Sequence, residues 1–326
     1  MKFISYAQNF EDLMLWRALG ERVSQGFYVD VGANDPLTDS ITKHFYDHGW
    51  HGINVEPLRN HWDDLQRDRE RDTNLCVALG EASGEIILWD FDVRGWSTAD
   101  TSVAENHSLN GHLKEQRVVP VTTLSEVLEK HASEAIHFLK IDVEGFESNV
   151  LQGADFEKFR PWIILVESTL PNSKVQCYEH WEPILLSAGY HFCYFDGLNR
   201  FYIANEHSDL DDAFTAPPNV FDEFVLYREV EVQNRLEQAI LEVKRIDATI
   251  TRTLSELELQ KNEAALLLQQ RSDLKRTVQA LHAVVEDKTT ESEALKLSIH
   301  TMQNSRTWRY RNKIISVLRN LRLMHR

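Results

Sequence analysis

The feature that most constrains the fold is a recurrence. Four short apolar runs each stop on a carboxylate: Gly26-Phe27-Tyr28-Val29-Asp30, Gly52-Ile53-Asn54-Val55-Glu56, Ile136-His137-Phe138-Leu139-Lys140-Ile141-Asp142 and Trp162-Ile163-Ile164-Leu165-Val166-Glu167. Such runs are too short for helices and rich in β-branched and aromatic residues, so each predicts a buried strand. A helix of about a dozen residues, carrying Ile41, Phe45, Tyr46 and Trp50 and ended by Gly49, separates the first two and makes a βαβ unit. The interval from Asp30 to Glu56 is close to that of a nucleoside-binding half-sheet. The expected fold class is α/β, a Rossmann-like sheet with helices on both faces, followed by a long C-terminal coiled-coil helix. The four acids would lie along one rim.

At the first strand the chain continues as Val31-Gly32-Ala33-Asn34-Asp35-Pro36, so it leaves the sheet near Gly32. In an open α/β sheet ligands bind at that exit. A glycine there lets the backbone approach a ligand, and a carboxylate at a strand end receives an ammonium or hydroxyl group. By the same logic Glu56 would face the hydroxyls of a ribose.

The other elements follow from local pattern. Residues 3–19, which carry Phe10, Leu13, Met14, Trp16 and Leu19 at helical spacing, predict a helix packed on the first strand. Strands are predicted at 74–80, 85–91 and 118–121, a helix at 124–130, a helix through Leu151, and a hairpin of 190–195 with 200–204 around Asp196-Gly197-Leu198-Asn199. Residues 92–116 read as a long loop whose Trp96-Ser97-Thr98 is a substrate-side candidate. His44 and His48, four apart on a predicted helix, imitate a metal pair, but surface or helix-packing histidines are the preferred reading.

Pro217-Pro218 is expected to end the globular part, and from about Glu229 the character changes. Leu236, Ile240, Val243, Ile250, Leu254 and Leu257 follow coiled-coil spacing, Asp247 and Lys261 interrupt the seam, and the seam then slips as a three-residue stammer would make it. The expected divisions are a globular domain at 1–225, a coiled coil at 229–302 and a basic amphipathic tail at 303–326. An unpaired apolar stripe of that length needs a partner, so a homo-oligomer is expected. No acid follows Glu293, and Arg309, Arg311, Lys313, Arg319 and Arg322 interleave with Trp308, Ile314, Ile315, Val317, Leu318, Leu321, Leu323 and Met324. That tail suits a peripheral helix at an anionic membrane face, or a docking contact with a glycan-assembly enzyme.

The net charge of -16 argues against nucleic acid as a partner. Cys76, Cys177 and Cys193 are odd in number and far apart, which suits a reducing compartment. With no signal-like apolar segment at the start, a cytoplasmic location is expected, peripheral at the inner membrane face if the tail binds lipid.

Tyr6-Ala7-Gln8-Asn9-Phe10-Glu11-Asp12, Val29-Asp30-Val31-Gly32-Ala33-Asn34, Asn54-Val55-Glu56-Pro57 and Lys140-Ile141-Asp142-Val143-Glu144-Gly145-Phe146-Glu147, in that order, resemble the FkbM family of S-adenosylmethionine-dependent methyltransferases. The resemblance covers about residues 3–225. It implies a class I methyltransferase sheet and O-methylation of a hydroxyl, often on a sugar or secondary metabolite. Asp196-Gly197-Leu198-Asn199-Arg200-Phe201-Tyr202 is similar to members encoded among polysaccharide and glycolipid genes. The resemblance makes Asp30, Gly32, Ala33, Asn34 and Glu56 cofactor-binding, and Asp142 with Glu144 catalytic. Asp35-Pro36 departs from the family, where many relatives have a second glycine. Ser305-Arg306-Thr307-Trp308-Arg309 also resembles an ending that follows coiled coils in polysaccharide-assembly proteins.

Methyl transfer to an alcohol needs an oxygen held in line with the sulfonium and a base or metal for its proton. Asp142 or Glu144 serves as the base, or the two hold a divalent cation. The competing readings are a non-catalytic coiled-coil scaffold with a methyltransferase-like head, and an NAD-dependent oxidoreductase. The second lacks the three glycines that seat a pyrophosphate.

Overall fold

The computed structural model describes residues 2–109, 113–171 and 173–323. Seven strands form the central sheet: β1 (Phe27–Val31), β2 (His51–Val55), β3 (Thr73–Leu75), β4 (Phe138–Ile141), β5 (Ile163–Glu167), β6 (Tyr190–Phe195) and β7 (Asn199–Ala204). They pair in the order β3-β2-β1-β4-β5-β7-β6. Only β7 runs antiparallel to its neighbours β5 and β6. The chain steps outward from β1 to β3 and returns on the other side of β1 as β4. That reversal leaves a crevice beyond the carboxyl ends of β1 and β4.

Alternation along each strand feeds two apolar layers. Phe27, Val29, Val31, Leu139, Ile141, Ile164 and Val166 pack on one face against Leu124, Val127, Val150, Leu151 and Leu185, from helices Leu124–His131, Glu147–Gln152 and Glu182–Ser187. Tyr28, Phe138, Ile163, Leu165, Phe201 and Ile203 pack on the other against Met14, Leu15, Leu19, Phe45 and Leu210. This second face holds helices Glu11–Leu19 and Lys43–Asp47 and the 3₁₀ segment Asn205–Phe214. The helix ended by Gly49 is shorter than expected, and its following Trp50 is fully buried beneath the sheet.

Three expectations need correction. Residues 3–19 are not one helix: Phe3–Ser5 is a strand paired in parallel with Phe224–Leu226, and the helix begins only at Glu11. Buried Asp12 accepts from the Ser5 hydroxyl at 2.7 Å and from the backbone N–H groups of Tyr6 and Ala7 at 2.7 and 3.3 Å, which holds the turn, and Phe10 sits left-handed at φ 67. The globular part therefore continues past Pro217-Pro218 to Leu226. The expected strand 74–80 divides into β3 and Ala78–Leu79, which leaves the main sheet to join Gly84–Phe91 and Leu113–Thr122 in a second, three-stranded sheet. The expected loop 92–116 contains helix Thr101–Leu109 and the start of that last strand; residues 110–112 lie outside the described part.

The chain divides into two compact units, Met1–Arg235 and Leu236–Arg326. Helix Tyr227–Asn304 runs unbroken for 78 residues, roughly 117 Å. Leu236, Ile240, Ile250, Leu254 and Leu257 on it are all exposed. A second helix, Arg306–Leu323, carries most of the expected tail, of which residues 324–326 lie outside the description. No helix among the described residues is long and apolar enough to cross a membrane.

Candidate active site

A cleft of about 500 Å³ opens at the carboxyl ends of β1, β2, β4 and β5. Gly32, at φ 79, brings the chain over the sheet edge so closely that a Cβ there would stand 1.8 Å from the carbonyl oxygen of Asp142. Any other residue would force the exits of β1 and β4 apart. The N–H groups of Gly32 and Ala33 donate to the Val55 carbonyl at 3.0 and 3.2 Å, which folds the loop toward β2. Buried Glu56 then accepts from the Asn34 N–H at 3.1 Å and the Leu58 N–H at 2.9 Å, and lies 3.7 Å from His61 Nδ1.

Gly32, Ala33, Asn34, Glu56, Asp142 and Glu144, all singled out in the sequence, line this one cleft. Asp30 does not. Its side chain is buried a layer below, 3.3 Å from Lys140 Nζ and accepting from the Thr42 hydroxyl at 3.3 Å. Asp30 and Lys140 are register partners on β1 and β4, so the pair is built by strand alignment. Lys140 Nζ also donates to the Gly32 carbonyl at 2.7 Å and lies 3.4 Å from Asp142. Burial pushes the ammonium pKa down, but Asp30 and Asp142 more than offset this and leave it above the ordinary lysine value.

The acidic wall comes from three places. Asp142 leaves β4, Glu144 follows in a left-handed conformation at φ 51, and Glu167 ends β5. One carboxylate oxygen of each lies within 4.8 Å of the other two. Burial, reinforced by Asp142 and Glu147, raises Glu144 well above the carboxylate range. Burial with Asp142 and Glu144 does the same for Glu167. Neighbouring Glu147 is raised to about 7, chiefly by burial, although it accepts from the N–H groups of Val143 and Gly145 at 3.2 and 3.0 Å.

Trp96 and Ser97 line the mouth. Fully buried Thr98 donates its hydroxyl to the Glu144 carbonyl at 2.6 Å and so ties this segment to the acidic turn. Arg94, which sequence reasoning missed, donates to Asn34 Oδ1 at 3.0 Å and the Asn34 carbonyl at 2.6 Å and pairs with Asp35 at 3.2 Å. The departure at Asp35-Pro36 has a physical basis. Asp35 Oδ1 accepts from the N–H groups of Leu37 and Thr38 at 2.9 and 2.8 Å, and buried Arg69 clasps the Pro36 carbonyl through Nε and Nη2 at 3.0 and 2.7 Å. A side-chain clamp holds the turn. His44 and His48 are packing groups: their rings stack at 4.1 Å, and each Nδ1 lies within 3.1 Å of a backbone carbonyl.

A doubly wound sheet of this strand order, with one reversed strand and a glycine exit beside acids at the switch point, defines a Rossmann-like class I methyltransferase fold. The chain belongs to the methyltransferase FkbM domain family, which matches residues 30–192. Among solved structures it is similar to a methyltransferase FkbM from Methylobacillus flagellatus KT, at 15% identity over 59% of this chain and 47% of that one, TM-score 0.37. It is also similar to cofactor-bound Rv0187 from MTB, at 11% identity over 62% of this chain and 82% of that one, TM-score 0.30. The chain thus spans about half the length of the first of these, 47%. No curated protein matches the sequence.

Proposed function

We propose that the chain takes a methyl group from S-adenosylmethionine and delivers it to a hydroxyl, on a sugar in surface polysaccharide or glycolipid synthesis. The observation that carries this reading is that the Gly32 loop, Glu56 and Asp142 meet in one cleft. The residues fit the cofactor. Gly32 leaves a gap that a Cβ would fill, Glu56 offers a carboxylate where ribose hydroxyls would lie, and Leu58, Val77 and Leu79 supply an apolar wall for an adenine ring. A single glycine at the strand exit gives no seat for a pyrophosphate, which counts against NAD. The sugar assignment draws on the resemblance of Asp196–Tyr202 to members encoded among polysaccharide and glycolipid genes and on a mouth that combines Trp96 with Ser97 and acidic groups, an aromatic face with polar edges that suits a polyol.

The Gly32 loop and Glu56 would hold the cofactor, which would supply an electrophilic methyl group on a sulfonium to the acceptor oxygen. Asp142, partly open to the cleft, takes the acceptor proton. Glu144 stands beside it in a turn fixed by the Thr98 hydroxyl. Lys140 holds the exits of β1 and β4 together beneath the reacting groups.

The long helix pairs with other copies through its exposed apolar seam, and the basic tail helix brings the enzyme to the inner membrane face or to a glycan-assembly partner. Calorimetry with S-adenosylhomocysteine and, in parallel, NAD tests the cofactor. Asp142→Asn should keep S-adenosylhomocysteine binding while turnover falls roughly a hundredfold or more. An unchanged turnover removes Asp142 from the chemistry. The exposed 78-residue helix suits a scaffold as well, and a scaffold would bind cofactor without turning over any hydroxyl acceptor.

A further inference from the structure

We propose that Asp142, Glu144 and Glu167 bind a divalent cation of the hard, oxygen-preferring class, Mg²⁺ or Mn²⁺, at the floor of the cleft. Three carboxylates converge there from the exit of β4, the turn after it and the end of β5, with an oxygen of each within 4.8 Å of the others. A second observation is independent of that convergence. Glu167 is 8% exposed and lines the cleft, yet among the described residues its Oε2 has no hydrogen-bond partner. A buried carboxylate oxygen left without a donor is costly, and a cation in the cleft removes that cost.

The surrounding charges are committed elsewhere. Glu147 is held by the N–H groups of Val143 and Gly145. Lys140 is the ammonium beneath the site, and it is shared between Asp30, the Gly32 carbonyl and Asp142. Arg94, paired with Asp35 and Asp64, and Lys174 are the other cations that line the cleft. Three oxygen donors match the class, since Mg²⁺ and Mn²⁺ favour carboxylates and keep waters or substrate oxygens in the remaining positions. Asp142, with 36% of its side chain exposed, gives the ion an entry path.

The role of the ion rests on the methyl-transfer reading: it would hold the acceptor hydroxyl in line with the methyl group and ease loss of the hydroxyl proton. Binding of the ion does not depend on that reading, and the test keeps the two apart. The full chain, stripped with chelator, is titrated with MnCl₂ and with MgCl₂ by calorimetry, with Mn²⁺ occupancy read by electron paramagnetic resonance. S-adenosylhomocysteine binding is measured in the same preparation. The expected result is one Mn²⁺ per chain, weakened roughly tenfold or more by Glu167→Gln and by Asp142→Asn. Asp142 has 36% of its side chain exposed, so its variant decides the matter if Glu167→Gln fails to fold. A full chain that binds no Mn²⁺, or a folded Asp142→Asn that binds it as tightly as the natural chain, overturns the site. The three acids would then share protons instead. Loss of S-adenosylhomocysteine binding with Mn²⁺ binding intact would overturn the cofactor reading and support the cation site.

Discussion

Lys140 Nζ donates to the Gly32 carbonyl at 2.7 Å while lying 3.3 Å from Asp30 and 3.4 Å from Asp142. A single ammonium therefore joins the two strand exits that frame the switch point. Removing it would leave Asp30 buried without its counter-charge. Lys140→Met is expected to lower stability by about 3–5 kcal/mol, the usual result of breaking a buried pair from one side. Urea unfolding measures it. A variant that also carries Asp30→Leu should recover part of the loss, and equal stability of the single variant and the natural chain would contradict the account.

Glu56 both shapes the Gly32 loop, through the Asn34 N–H, and presents a carboxylate to the cleft. Glu56→Ala should weaken S-adenosylhomocysteine binding by roughly 1.5–3 kcal/mol, the worth of hydrogen bonds to a charged group. Calorimetry reads the change directly. If a correctly folded variant binds as the natural chain does, Glu56 has no place at the ribose.

Much of this site is legible in the sequence because strand exits are local. Val29-Asp30-Val31-Gly32 marks its own departure from the sheet, and Asp142 and Glu144 follow their strand within a few residues. What the sequence does not show depends on pairing between distant segments. Strand Phe3–Ser5 exists because Phe224–Leu226 lies beside it, and no local pattern announces a partner so far along the chain. Ala78–Leu79 leaves the main sheet because it pairs with Val121 and Thr122, while the apolar run from Leu75 to Leu79 reads as one strand. Glu167 is visible as a strand-end acid, but its approach to Asp142 and Glu144 follows from the β4–β5 pairing. Lys140 did carry a signal, a lysine inside an apolar run, which in a buried strand requires an acid across the ladder. Arg94 carried none.

Glu11 supplies a pH test away from the cleft. It is buried and accepts from the Asn9 N–H and from Asn199 Nδ2, both at 2.8 Å. Burial, with Asp196 adding to it, lifts its pKa from 4.5 to about 8. The folded state thus holds this proton more tightly than the unfolded state. The resulting stability is fully present below pH 4.5 and is lost as pH rises through about 8. Glutamine mimics the protonated acid and does not titrate. Glu11→Gln should therefore show a flatter fall in Tm between these limits and gain on the natural chain above the upper one. Parallel Tm profiles would show that Glu11 does not titrate in that window.

Exposed Leu236, Ile240, Ile250, Leu254 and Leu257 on a continuous helix predict self-association. Residues 1–235 keep the strand Phe224–Leu226 that pairs with Phe3–Ser5, so this piece retains its compact unit. In sedimentation it should run as a monomer while the full chain runs as an oligomer. Asp247 and Lys261 in the seam would set register at some cost in stability, so Lys261→Leu should raise the Tm of the assembly while loosening its oligomer state. An oligomeric 1–235 piece would place the contact elsewhere.

The tail helix Arg306–Leu323 supports the last prediction. Ile314, Ile315, Val317 and Leu318 are exposed on it, and Arg311 sits over the Trp308 ring at 5.6 Å, so apolar surface and positive charge occur side by side. With no acid after Glu293, nothing in the segment offsets that charge. Each basic residue near an anionic bilayer surface contributes about 1 kcal/mol, and the apolar side chains add burial at the headgroup boundary. The full chain should float with vesicles rich in anionic lipid at moderate salt and be released as salt rises, because the electrostatic part is screened over a Debye length. A chain ending at Gln303 should stay at the bottom of the gradient. Arg309→Glu with Lys313→Glu should sink the full-length chain without altering its oligomer size. If the full and shortened chains behave alike, the tail does not bind lipid, and its apolar residues are left for a protein partner.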